Sequence, residues 1–280
     1  MHHWVISLVC PDQPGLIHAV SGACVAAGGN ITESQQFSSP DSGRFFIRLE
    51  VEGIDDRQLI TNAFRRVISE FDAEMTVDAV GRPKRTLVLA SKAGHCLNDL
   101  LFRQRAGQLD IDICKVMANH PDLAGLAQFY DVDFEHHVVL PETKAEFEQR
   151  VMEVVNQYDI ELVILARYMQ ILSPELCEFL NGKAINIHHS FLPGFKGANP
   201  YRQAHTRGVK LIGATAHFVT SDLDEGPIIE QNVVRVDHSK SVKQLVAIGQ
   251  NQESITLSEA VKLFIEHRVL LDGSRTVIFK

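Results

Sequence analysis

After the breaker-rich stretch Gly81-Arg82-Pro83-Lys84, short apolar runs at residues 86–91, 112–118, 135–139, 162–166 and 184–188 alternate with segments of helical period over 95–105, 123–129, 144–158 and 174–180. Strands joined by helix-length connections lie parallel in one sheet with helices on both faces, a doubly wound, mostly parallel α/β arrangement. In such sheets ligands collect beyond the carboxyl ends of the strands. That rule directs attention to Arg167-Tyr168-Met169-Gln170-Ile171-Leu172, which follows one apolar run, and to Asn186-Ile187-His188, which ends the next.

The part before the breaker has a different order. A β-rich run at 4–10 stops at Pro11-Asp12-Gln13-Pro14-Gly15, and Leu16, Ile17, Val20, Ala23, Cys24 and Ala27 then recur at helical spacing until Gly28-Gly29. Runs at 31–38 and 44–51 flank Pro40-Asp41-Ser42-Gly43, a helix is expected over 55–71, and a last strand lies near 75–80. The order βαββαβ is that of a ferredoxin-like sandwich. A chain of 280 residues exceeds the usual domain of about 100–200, so we expect two domains, 1–81 and 82–280.

Composition excludes several classes of function. A formal charge of −8 and a pI near 5.9 argue against nucleic-acid binding, which rests on clustered Lys and Arg. The five cysteines are scattered and form no CxxC, a pattern of reduced thiols rather than of disulfides or zinc. The N-terminus reads straight into a strand without a signal peptide, and no apolar run reaches the ~18 residues of a membrane span. The expectation is a cytoplasmic protein that contacts neither nucleic acid nor membrane.

Chemistry gathers between Ala184 and Gln231. Residues i and i+2 of a strand face the same way, so Asn186 and His188 look into one space. A second strand carries His217, and the turn Ser221-Asp222-Leu223-Asp224-Glu225-Gly226 supplies carboxylates. The loop 190–200, with Pro193, Gly194, Gly197 and Pro200, is suited to bringing backbone amides to a ligand. Each feature also has a plain structural reading, since Asp222 or Asp224 shapes a turn as readily as it catalyses. Neighbouring pairs such as His188-His189 and His136-His137 face opposite sides of a strand, so no metal site is expected. The absence of G-x-S-x-G weakens a serine-hydrolase reading.

Two stretches resemble known families. Pro11-Asp12-Gln13-Pro14-Gly15-Leu16-Ile17 with Gly28-Gly29-Asn30-Ile31 is similar to the ACT domain, a regulatory module that binds amino acids between paired copies. The resemblance implies Asp12, Gly15, Leu16, Gly29 and Asn30 at an effector site, glycine or methionine as effector, and a homo-oligomer.

Asn186-Ile187-His188, Ser190 through Gly197, His217-Phe218-Val219 and Leu223-Asp224-Glu225-Gly226-Pro227-Ile228-Ile229 resemble the formyltransferase family, which handles 10-formyltetrahydrofolate. That resemblance implies Asn186, His188 and Asp224 as the catalytic trio and His217 beside them. It also implies that Arg167, Met169, Ile171 and Leu172 read the folate, which is substrate and not cofactor, and it places the chain in one-carbon metabolism and purine biosynthesis.

One departure selects the acceptor. Members that formylate a phosphorylated amine carry a Gly-Ser-Asn loop whose amides hold phosphate, whereas this chain has Ser91-Lys92-Ala93-Gly94-His95-Cys96. Together with the N-terminal module, this points to the branch in which water takes the formyl group. The alternatives are formyl transfer to a small amine and a non-catalytic amino-acid sensor.

Overall fold

A computed structural model describes residues 2–192 and 200–280. The chain divides into two compact units, Met1–Arg82 with Leu263–Lys280, and Pro83–Lys262. The first boundary lies between Arg82 and Pro83. The last residues, expected with the second domain, group instead with the first.

The first unit is built from β1 (His3–Pro11), α1 (Leu16–Ala26), β2 (Asn30–Ser38), β3 (Arg44–Glu52), α2 (Arg57–Phe71) and β4 (Glu74–Ala79). The strands form an antiparallel sheet in the order β2-β3-β1-β4. Asp56 accepts from the Gln58 amide and caps α2. Leu16, Val20 and Cys24 of α1 and Ile60, Phe64 and Val67 of α2 pack on Ile6, Leu8, Ile47 and Leu49.

Arg48 on β3 is a buried charge. It donates from Nε to the Glu266 carbonyl at 2.9 Å, from Nη1 to Glu33 at 3.0 Å and from Nη2 to Glu50 at 2.6 Å. Arg268 pairs with Glu33 at 3.1 Å, and Ser39 donates to Asp272 at 2.8 Å. These bonds hold the C-terminal hairpin, β12 (Val269–Asp272) with β13 (Arg275–Ile278), to its unit.

The second unit contains β5 (Lys84–Ala90), α3 (His95–Arg105), β6 (Ile111–Ala118), α4 (Ala124–Phe129), β7 (Phe134–His136), α5 (Lys144–Gln157), β8 (Leu162–Ala166), α6 (Pro174–Phe179) and β9 (Ala184–His188). Then follow α7 (Pro200–Arg207), β10 (Leu211–Phe218), β11 (Ile228–Arg235) and α8 (Val242–Ile265). The sheet order is β11-β10-β9-β8-β5-β6-β7. Strands β7, β6, β5, β8 and β9 are parallel, while β10 and β11 add antiparallel at one edge. The central strand β8 is buried at every residue, as a strand covered on both faces must be. Among the described residues no helix is long and apolar enough to cross a membrane.

Candidate active site

The antiparallel edge decides how the site is assembled. β10 pairs His217 directly with Asn186 of β9, so the two side chains share a face. His217 Nδ1 lies 2.8 Å from the Phe218 carbonyl oxygen. A carbonyl cannot donate, so Nδ1 carries the proton and Nε2 of the neutral ring accepts. Burial lowers the His217 pKa and keeps the ring neutral. The Asn186 atom facing Nε2 at 3.2 Å is therefore Nδ2. One N–H of Asn186 is spent on His217, which orients the amide and leaves the other N–H for the cavity.

His188 stands one pleat further along β9, 6 % exposed. Its Nδ1 is 3.1 Å from Asp224 Oδ1, and the same oxygen is 3.9 Å from His217 Nε2. The hydrogen bond from His188 outweighs the opposing effect of burial and holds the Asp224 carboxyl below its ordinary range. Asp224 has a left-handed backbone at φ 58°. His188 Nε2 is buried and meets no hydrogen-bond partner among the described residues. A buried polar atom without a partner is costly in a core, and a reaction site is where that cost is tolerated.

Asn186, His188, His217 and Asp224 line one cavity of about 900 Å³ together with Arg167, Met169, Ile171 and Leu172. Met169 and Ile171 are 60 % and 59 % exposed, while Leu172 is buried. Two residues not foreseen as functional hold this turn in place. Buried Ser91 accepts from the Met169 amide at 3.0 Å and donates to Asn119 Oδ1 at 2.6 Å. A lone Ser at a strand end carries no sequence signal for such a role.

Arg167, at φ 62°, sets its Nε 3.3 Å from Glu253 Oε2 on α8. His95 Nε2 donates to the same oxygen at 2.7 Å, and the Tyr201 hydroxyl donates to Glu253 Oε1 at 2.6 Å. His95, Cys96 and Glu253 also bring three potential ligand atoms within 4.8 Å. Both carboxylate oxygens are already engaged, however, and burial pushes the Cys96 thiol upward, so the group is an ion-pair network. Asp222 lines the cavity and Lys92 does not.

His189 departs from expectation. It follows the end of β9, lies beside His188 with ring centroids 4.7 Å apart, and lines the same cavity. Burial, then the Arg167 charge, lowers its pKa to about 4. The loop residues Pro193, Gly194, Phe195, Lys196 and Gly197 lie outside the described residues, as does the Pro200 side chain.

In the first unit the effector residues fall at opposite ends of α1. Asp12, Gly15 and Leu16 precede or open the helix, while Gly29 and Asn30 follow it. Leu16 is core, and a Cβ on Gly29 would lie 2.5 Å from Val51 and 2.8 Å from Ile54, so packing alone accounts for both.

Residues 84–261 match the formyl transferase family and residues 4–69 match the ACT domain. The chain is 45% identical over 279 residues to the formyltetrahydrofolate deformylase of Corynebacterium sp. (strain P-1), covering 99% of this chain and 98% of that one. The chain belongs to the formyltetrahydrofolate deformylase family. Family likeness extends to structure. The deformylase of Burkholderia mallei superposes with a TM-score of 0.96 at 49% identity, over 100% of both chains. Glycinamide ribonucleotide transformylase 1 of Symbiobacterium toebii gives 0.66 at 33%, over 72% of this chain and 97% of that one.

Proposed function

We propose that the chain hydrolyses 10-formyltetrahydrofolate to formate and tetrahydrofolate, with Asn186, His188 and Asp224 as the reacting constellation. The observation that carries this reading is the buried Nε2 of His188, without a partner among the described residues and set between an oriented Asn186 amide and the Asp224 carboxylate. A cavity of about 900 Å³ suits a ligand of folate size.

Water attacks the formyl carbon, and the carbonyl electron pair moves onto oxygen. The free N–H of Asn186 and an Nε2–H of His188 face that oxyanion, as donors aimed at developing charge should. The Nδ1–H of His188 donates to ionised Asp224, which also collects the proton shed by water. Collapse breaks the carbon–N10 bond, N10 takes the proton, and formate leaves. Exposed Met169 and Ile171 offer backbone groups to the pterin, held by Ser91.

His217 acts through Asn186 rather than on the substrate. We read the ACT unit as a regulatory and pairing module, with glycine or methionine as effector and a homo-oligomer as the assembly; the family match at residues 4–69 supports this.

The test is incubation with 10-formyltetrahydrofolate and no added acceptor. Formate and tetrahydrofolate are expected in equal amounts. Formate that appears only when an amine is supplied would replace hydrolysis by transfer.

A further inference from the structure

Apart from Arg167, which was expected among the folate readers, the cluster around Glu253 plays no part in the mechanism above, yet it lines the same cavity. Four elements converge to build it: the start of α3 (His95), the turn after β8 (Arg167), α7 (Tyr201) and α8 (Glu253). Glu253 is 1 % exposed. Burial pushes its carboxyl up, but the His95 bond, the Arg167 charge and the Tyr201 bond outweigh that and hold it ionised.

The backbone makes room for this arrangement. A Cβ at Gly249, one turn before Glu253 on α8, would lie 2.0 Å from the Tyr201 hydroxyl. Only glycine admits the ring there. Arg167 has Nε and Nη1 buried without a hydrogen-bond acceptor, so its charge rests on Glu253 alone among the described residues. The cluster is joined to the reaction centre through His189, which stands against His188 and feels the Arg167 charge.

We propose that His95, Arg167, Tyr201 and Glu253 form a wall that excludes amines from the formyl carbon and so makes water the only acceptor. The inference rests on the hydrolytic reading. Water needs no space beyond the trio, whereas an amine brings a substituent that must lie along the cavity wall. In this reading the substituent lies against Tyr201 and the Arg167–Glu253 pair, which stand on the cavity wall, and seating it displaces one or the other. Opening a buried pair of this kind costs a penalty on the order of 10²–10³-fold in binding.

With the wall opened, the amine lone pair attacks the formyl carbon and the carbonyl pair moves onto oxygen. Collapse breaks the carbon–N10 bond, and the amine's proton passes by way of Asp224 to N10. The products are a formamide and tetrahydrofolate, with no change of oxidation state.

The experiment follows a labelled formyl group from 10-formyltetrahydrofolate in the presence of glycinamide, for the full-length protein and for Gly249→Ala, Glu253→Ala and Tyr201→Phe. Formate release without amine is measured in parallel, and folding is checked by thermal melting. Wild type is expected to yield formate alone. Gly249→Ala and Glu253→Ala should raise the ratio of formylglycinamide to formate on the order of 10²-fold. Tyr201→Phe keeps the ring and loses one hydrogen bond, so its ratio should rise less, by about tenfold or below.

Folded variants that release formate at the wild-type ratio would overturn the proposal. So would loss of both products in all three folded variants, which would move the cluster into the catalytic machinery. A wild-type protein that releases no formate without amine would instead overturn the hydrolytic reading itself.

Discussion

Gly226 couples the acidic turn to the reaction centre, and adding one methyl group there tests the geometry. An ideal Cβ at this position would stand 1.8 Å from the Phe218 carbonyl oxygen and 3.1 Å from His217 Nδ1. Ordinary contact needs roughly 3.5 Å, so the turn must retreat by more than about 1 Å. The obstacle is backbone, which cannot swing aside as a side chain would. Phe218 donates its amide to the Pro227 carbonyl at 2.9 Å, and its own carbonyl accepts from His217. Both bonds are strained by the retreat, His217 loses the partner that fixes its tautomer, and Asp224, two residues before Gly226, moves away from His188.

A displacement of about 1 Å in a reacting group costs on the order of 10²-fold in rate. Losing one or two hydrogen bonds costs about 1–3 kcal/mol of stability. Gly226→Ala is therefore expected to lower the kcat for formate release about 10²-fold and the melting temperature by several degrees, with folate binding nearly kept. The assay is steady-state formate release beside folate titration and a thermal melt. A kcat within about threefold of wild type would refute the claim that this turn sets the position of Asp224.

Three further outcomes are expected. Asp224→Asn should lower turnover by about 10³-fold or more while folate still binds, since residues acting as one unit fail together; near-normal formate release would move the role to Asp222, which also lines the cavity. His189 is lowered from its ordinary 6.5 to about 4, so between those values the unfolded chain binds more protons and stability falls as pH falls. His189→Gln should flatten that acid slope in melts taken from pH 6.5 down to about 4, and an unchanged slope would assign it to other groups. Arg48→Ala leaves Glu33, Glu50 and the Glu266 carbonyl without their buried donor and should destabilise the first unit by about 3 kcal/mol, read by thermal melting; a loss below about 1 kcal/mol would mean that Arg268 compensates.

Periodicity carried most of the architecture because it is local. The strands at 162–166 and 184–188 and the helix at 95–105 stand where spacing put them, since burial on both faces forces continuous apolar runs and helices repeat every 3.6 residues. Strand pleat, equally local, suffices to turn Asn186 and His188 toward the same space. The C-terminal hairpin was not legible, because Val269–Asp272 and Arg275–Ile278 are four-residue strands held by charges distant in sequence, such as Arg48 and Glu33.

The antiparallel direction of β10 places His217 opposite Asn186 and thereby orients the amide. Pairing direction depends on which edge the chain returns to, and no residue pattern encodes that. The wall of Glu253, His95, Arg167 and Tyr201 is hidden for the same reason. Its members lie up to 158 positions apart, Arg167 alone among them stands in a stretch marked as a site, and only burial in a common space turns four polar side chains into one group.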